Sequence, residues 1–240
     1  MNEQAKLPGL VNWTGYLALT LLLVLPLSVL TVRSGAWQQG LLLYAIACFG
    51  SALLIILSLV LLFLPRFAQW RKQIALRALW ALPGTVLVLS LLLGANVPPI
   101  HDITTDTQDP PTFAKAEQQR GASSNSLQID QAVIDQQRQA YPDIQTLVTE
   151  ESFEDTFDRA TQVANELGWE IYHQDRNTGL IEAVDTTAIM AFKDDIAIRL
   201  RTNAQGTVVD LRSVSRVGES DLGANAKRIR AFVAAFQQQG

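Results

Sequence analysis

The sequence predicts three transmembrane α-helices followed by an α+β domain, an antiparallel four- to five-stranded sheet with two helices packed on one face. Three observations lead there. Charge is partitioned: residues 1–96 carry Lys6, Arg33, Arg66, Arg71, Lys72 and Arg77 against Glu3, a net +5, whereas the remainder carries 13 basic and 22 acidic side chains, a net −9. Three windows, 7–32, 34–65 and 78–100, contain no charged residue. Beyond residue 97 the apolar residues no longer run together but recur at helical or alternating spacing. This partition excludes a plain cytosolic enzyme, and the single cysteine, Cys48, excludes a disulfide scaffold or a cysteine-rich metal module.

The membrane domain covers residues 1–96, with helices at about 13–32, 40–64 and 78–97, each near the ~20 residues that span a bilayer. Leu17–Leu30 and Leu53–Leu64 are apolar all round, which belongs in lipid rather than at a soluble core. Pro26 and Pro83 predict kinks, tolerated where neighbouring helices satisfy the freed carbonyl. Trp13, Tyr16, Trp37, Trp70 and Trp80 fall near the expected ends, as interfacial aromatics do. The first apolar stretch exceeds a signal-peptide core, and Thr31-Val-Arg33 is a poor cleavage site. Arg66, Arg71, Lys72 and Arg77 occupy one loop against Arg33 alone in the other, so the positive-inside rule places 65–77 and the N-terminus in the cytoplasm and everything after the third helix outside.

Residues 97–142 read as an extended, Pro-rich membrane-proximal segment and linker. Pro98, Pro99, Pro110 and Pro111 remove donors and bias their predecessors away from helix, 114–128 reads as a flexible link, and a short helix over 129–140 stops at Tyr141-Pro142. The compact α+β domain is expected over 143–240. Phe153, Phe157, Ala160, Ala164 and Leu167 share one helix face, opened by a Ser152/Asp155 capping pair and ended at Gly168. Two hairpins follow, turning at Asn177-Thr-Gly179 and at 203–206, then a helix from about Leu222 that buries Ala226, Ile229, Phe232, Val233 and Phe236.

In the second hairpin, pairing Thr202 with Thr207 puts Leu200, Val209, Ile198 and Leu211 on one face and sets Arg199 opposite Asp210 on the other. On that second face Asp195 lies diagonally between Arg212 and Arg216. Along the core face, Ile196 opposes Ser213 and Asp194 opposes Ser215, so the core turns polar at the end away from the turn. An inward carboxylate must be paired or neutralised. Asp194, Ser213, Ser215, Asp221, Asn225 and Arg228 thus form either an internal network that caps the last helix or the mouth of a pocket for an anionic or sugar-like ligand, with Arg216 and the helix N-terminus attracting the anion. Asp195, Arg212, His101 and Asp102 complete the set of candidate ligand-binding residues. Two histidines without a spacing motif make no zinc site, the acidic domain argues against nucleic acid, and no phosphate loop or nucleophile elbow is present. No catalytic residue, metal or cofactor is assigned.

Pro98-Pro-Ile-His-Asp-Ile-Thr-Thr-Asp106, Asp109-Pro-Pro-Thr-Phe113, Gly168-Trp-Glu170, Val209-Asp-Leu-Arg-Ser-Val-Ser-Arg-Val-Gly218 and Ser220-Asp-Leu-Gly-Ala-Asn-Ala-Lys-Arg-Ile-Arg-Ala-Phe232 resemble the domain-of-unknown-function 1499 family over about residues 97–238. The resemblance implies a bacterial or plastid membrane-associated or exported protein and brings no established activity. The expected role is therefore a multi-pass inner-membrane protein whose outward domain binds or scaffolds in the envelope. Its partners are the lipid bilayer and an envelope protein or a small anionic or lipid ligand. The alternative is an envelope lipid- or saccharide-modifying enzyme using Asp194, Asp195 and His101.

Overall fold

The computed structural model describes residues 7–94 and 97–238, and the chain divides into two compact units, Met1–Ala95 and Asn96–Gly240. In the first, α1 (Gly9–Arg33) and α2 (Trp37–Phe63) form a hairpin closed by a turn in which Gly35 takes φ +97°. The third helical stretch begins at Pro65. It comprises a 3-10 segment (Pro65–Trp70), α3 (Arg71–Ala78), a second 3-10 turn (Leu79–Ala81) and α4 (Leu82–Gly94). All three are long and apolar enough to cross a membrane.

The third stretch begins earlier than the expected residue 78, because the basic loop itself winds into helix and buries Phe67 and Ile74 against Val11 and Leu61. Residues 95 and 96 of the expected third span lie outside the described residues. Pro26 does not break α1, and Pro83 falls in the first turn of α4, where a missing N–H costs no helical bond. The helices approach through small residues: a Cβ on Gly40 would lie 2.5 Å from Val32 Cγ2, and one on Gly84 2.5 Å from Ser51 Oγ.

The second unit is a six-stranded antiparallel sheet with order β1-β6-β5-β4-β3 and β2 also paired to β6. The strands are β1 (Asp102–Thr104), β2 (Leu147–Thr149), β3 (Glu170–Asp175), β4 (Leu180–Thr186), β5 (Lys193–Asn203) and β6 (Gly206–Ser215). The β5–β6 register is the one expected, with Thr202 opposite Thr207, Leu200 opposite Val209, Ile198 opposite Leu211 and Asp194 opposite Ser215. Gly179 is required at the β3–β4 turn, since it holds φ +68° and a Cβ there would lie 2.2 Å from the Leu200 carbonyl oxygen.

One face of the sheet is covered by α7 (Phe153–Glu166) and α8 (Ala224–Gln238). Ser152 caps α7, accepting the Asp155 N–H at 3.2 Å. Phe157, Ala160, Val163, Ile229, Phe232 and Phe236 pack on Ile181, Ile196, Ile198, Val209 and Leu211, with Trp169 and Phe232 stacked at 5.6 Å.

Besides the four strands of the two expected hairpins, β1 comes from the stretch anticipated as linker and β2 from the start of the expected compact domain. Ile100 and Ile103 lie in the core, β1 runs along β6, and Gln137 of α6 (Gln131–Ala140) pairs its buried amide with both backbone groups of Thr104 at 2.6 and 2.9 Å. The segment 97–142 is therefore part of the second unit. Its 114–128 stretch, expected to be flexible, includes the short α5 (Ala116–Gln119) and is fastened to the other face of the sheet by hydrogen bonds to charged side chains.

Candidate functional site

The alternation of β5 sends Asp194 and Asp195 to opposite faces, so the candidate residues separate into two layers. On the helix-covered face Arg228, 7% exposed, is the hub. It donates to Asp194 Oδ2 at 2.5 Å, Asp185 Oδ2 at 2.8 Å, Asn225 Oδ1 at 2.5 Å and Ser213 Oγ at 3.1 Å. Ser213 Oγ gives its own hydrogen to Asn225 Oδ1 at 2.7 Å. Asn225 Nδ2 donates to Ser215 Oγ and to the His101 carbonyl, both at 2.9 Å.

Asp221 accepts the Gly223 and Asn225 N–H groups at 2.7 Å, capping the start of α8. Burial pushes the Asp221 carboxyl above its ordinary range. The two N–H bonds and Arg228 oppose that shift, and the Asp194 charge adds to it.

The expected anion subsite is filled from within. The first free N–H groups of α8 hold Asp221, and Arg216, proposed as the attracting cation, belongs to the opposite face. Three carboxylates (Asp185, Asp194 and Asp221) surround the single guanidinium of Arg228, a balance that repels a further anion. A cavity of about 300 Å³ reaches the edge of this network between Trp169, Asp185, Lys227 and Arg228.

The second layer lies under residues 105–130. Arg212, 1% exposed, forms a two-pronged pair with Asp102 (Nε–Oδ1 3.0 Å, Nη2–Oδ2 2.7 Å) and also donates to the carbonyls of Pro111 and Leu127. Asp195 pairs with Arg216 through both oxygens, at 2.7 and 3.0 Å, and with Arg120 at 3.2 Å. Arg216 also holds the Gln119 carbonyl, and Arg120 the Asn125 carbonyl. Glu182, fully buried, accepts backbone N–H groups from Ala114, Lys115 and Ala116. Beside this layer the Tyr172 hydroxyl is held far above its ordinary pKa, by burial first and then by the charges of Asp195 and Glu182.

The structure thus joins Asp194, Ser213, Ser215, Asp221, Asn225 and Arg228 in one network, to which His101 lends its backbone carbonyl. It places Asp102, Asp195, Arg212 and Arg216 in the other. The expected diagonal contact of Asp195 is made to Arg216, while Arg212 turns to Asp102. Sequence reasoning missed Asp185, Glu182, Arg120 and Tyr172. Asp185 was findable, since continuing the β5 register across the short 187–192 turn sets it opposite Asp194. Glu182 carried no such signal: between Ile181 and Ala183 it reads as a solvent-facing strand position.

Chemically, both layers are closed. Ser213 gives its proton to an amide and accepts from a guanidinium, so no base activates it. Asp194 and Asp195 cannot act on one substrate atom from opposite sides of a sheet. Among the described residues no group of three or more His, Cys, Asp or Glu side chains is arranged to hold a metal ion.

A helical unit with three apolar spans, followed by an α+β domain laced by buried ion pairs, defines a class of membrane-anchored domain proteins. The family model for proteins of unknown function termed DUF1499 matches residues 102–236, and the chain belongs to that family. No curated protein matches it at a significant level.

Proposed function

We propose that this chain is a multi-pass protein of the cell inner membrane that holds its α+β domain on the outer side as a binding or scaffolding module of the envelope, without chemistry of its own. The observation that carries this reading is the closure of both polar layers. Each carboxylate in them is already ion-paired, hydrogen-bonded to backbone or capping a helix, which is how a domain is held together rather than how a general acid or base is poised. The outward orientation is supported by the exposed Arg66, Arg71 and Lys72 on one helical connection. What the module binds would engage the rim of the Trp169–Lys227 cavity or the neighbouring surface, leaving the buried network intact.

Two measurements test this. Thermal denaturation of full-length D194N in mild detergent should show a domain markedly less stable than wild type, because Arg228 loses its closest carboxylate. An unchanged melting temperature, with loss of a molecule that co-purifies with wild type in mass spectrometry, would make Asp194 a ligand contact instead. For orientation, a cysteine at the exposed Ser123 should react with a membrane-impermeant thiol reagent in intact cells and one at Gln69 should not. The reverse pattern overturns the topology.

A further inference from the structure

Between residues 4 and 101 the sequence contains no Asp or Glu, so the basic residues between 66 and 77 have no acidic neighbour along the chain. Most are exposed on the Pro65–Ala78 connection and are solvated. Arg77 differs. It is half-buried in an open groove of about 320 Å³ between α1 and the third helical stretch, lined by Asn12, Gly15, Tyr16, Leu19, Arg77 and Trp80. Gly15 makes room for it: a Cβ there would lie 2.7 Å from Arg77 Cδ and 2.9 Å from Nε. Its hydrogen bonds go only to neutral acceptors and are long, 3.2 Å to Asn12 Oδ1 and 3.5 Å to the Gln73 carbonyl. A guanidinium desolvated this far favours a charged, two-oxygen acceptor.

The surroundings say which acceptor fits. Tyr16 and Trp80 flank the groove, exposed by 63% and 49%, and Trp13 meets Tyr16 edge-on at 6.1 Å. Such aromatics sit at the headgroup level of a bilayer, where lipid phosphates are. Leu19 and Leu23, exposed on the same α1 surface, continue the groove with an apolar track suited to an acyl chain. We propose that this groove binds one anionic glycerophospholipid, with Arg77 forking its phosphodiester and Asn12 orienting the guanidinium. The proposal rests on the reading that the three helices cross a bilayer.

The test is native mass spectrometry of the full chain in neutral detergent, titrated separately with phosphatidylglycerol, phosphatidylcholine and inorganic phosphate. Wild type should retain one phosphatidylglycerol, on the order of fivefold or more tighter than phosphatidylcholine, the effect of one basic side chain at an anionic surface. R77Q should lose that preference, and R77K, which keeps the charge without the fork, should retain part of it and so report a folded protein. R71Q and K72Q should match wild type. An equal loss in R71Q would mean diffuse surface charge and overturn the site, and displacement of the lipid by inorganic phosphate would overturn the lipid assignment. Alkaline extraction of native membranes runs alongside. Release of the chain would sink the spanning reading, whereas a retained chain without lipid preference would sink this inference alone.

Discussion

Replacing Arg212 by methionine is the sharpest test of how the domain is held together. The guanidinium is buried, as is the Asp102 carboxylate it grips at 2.7 and 3.0 Å, and it also ties down the carbonyls of Pro111 and Leu127. Removing one member of a buried pair leaves the other charge uncompensated, which costs about 3–5 kcal/mol. A domain of this size has about 5–15 kcal/mol in total, so R212M should sit near the edge of folding. The double variant D102N/R212M removes the stranded charge but leaves the carbonyls unmet. It should regain on the order of 1–3 kcal/mol over R212M without reaching wild type. Urea denaturation in micelles measures both, followed by Trp169 fluorescence in a background whose other four tryptophans are phenylalanine. Hydrogen exchange locates the damage, which should appear first in residues 102–127 and only later in β4 and β5. An R212M domain within about 1 kcal/mol of wild type, or one that loosens elsewhere first, would refute the argument.

Three further outcomes follow from the geometry. E182Q should lose about 1–3 kcal/mol and deprotect the 114–116 amides to exchange, because a neutral amide oxygen replaces a buried carboxylate that gathers three N–H groups. G179A should fail to fold its domain, since φ +68° and a 2.2 Å approach to the Leu200 carbonyl leave a methyl nowhere to go; a soluble, protected β3–β4 hairpin in that variant would contradict this. The third concerns pH. Burial raises the Asp221 carboxyl in the folded state, so its contribution to stability is fully present below the ordinary carboxylate range, about pH 4, and is lost as pH rises through the elevated value. The melting temperature of wild type minus that of D221N should therefore fall as pH rises above about 4. A difference that is flat or rising would show that the two capping N–H bonds outweigh burial.

The features most legible in the sequence were those fixed by composition and period. Uninterrupted apolar runs announced the three helices, and the alternation on either side of 203–206 fixed a register that correctly set Asp194 against Ser215 and Ile196 against Ser213. Ser152 with Asp155 marked the start of α7. What escaped was the segment before residue 143, for a physical reason. A covering loop has no period, and its prolines and glycines look the same packed or free. The cover over the charged face of the β5–β6 hairpin leaves no mark in the sequence either, because nothing local distinguishes an arginine facing water from one facing a loop. Asp195 and Asp210 are in fact fully buried, and the strand alternation that places them is identical either way.

That difference between the two faces of the sheet explains why one of them carries most of the buried charge. Helices satisfy their own backbone hydrogen bonds, so α7 and α8 can lie on a face made mostly of isoleucine, leucine and valine, with its charges confined to the Arg228 network at the start of α8. An irregular cover brings unpaired N–H and C=O groups with it, and these must find partners once buried. The partners are the sheet's ionised side chains: Arg212 for Pro111 and Leu127, Arg216 for Gln119, Glu182 for residues 114–116. Arg212 pairs with Asp102 and Arg216 with Asp195, which neutralises the charge that the arginines' backbone contacts leave over. On this view the usual expectation, that well-packed apolar residues can replace a buried ion pair at little cost, should hold poorly here. The pair is only half of what each arginine does, and an apolar substitute of equal volume would still orphan the loop.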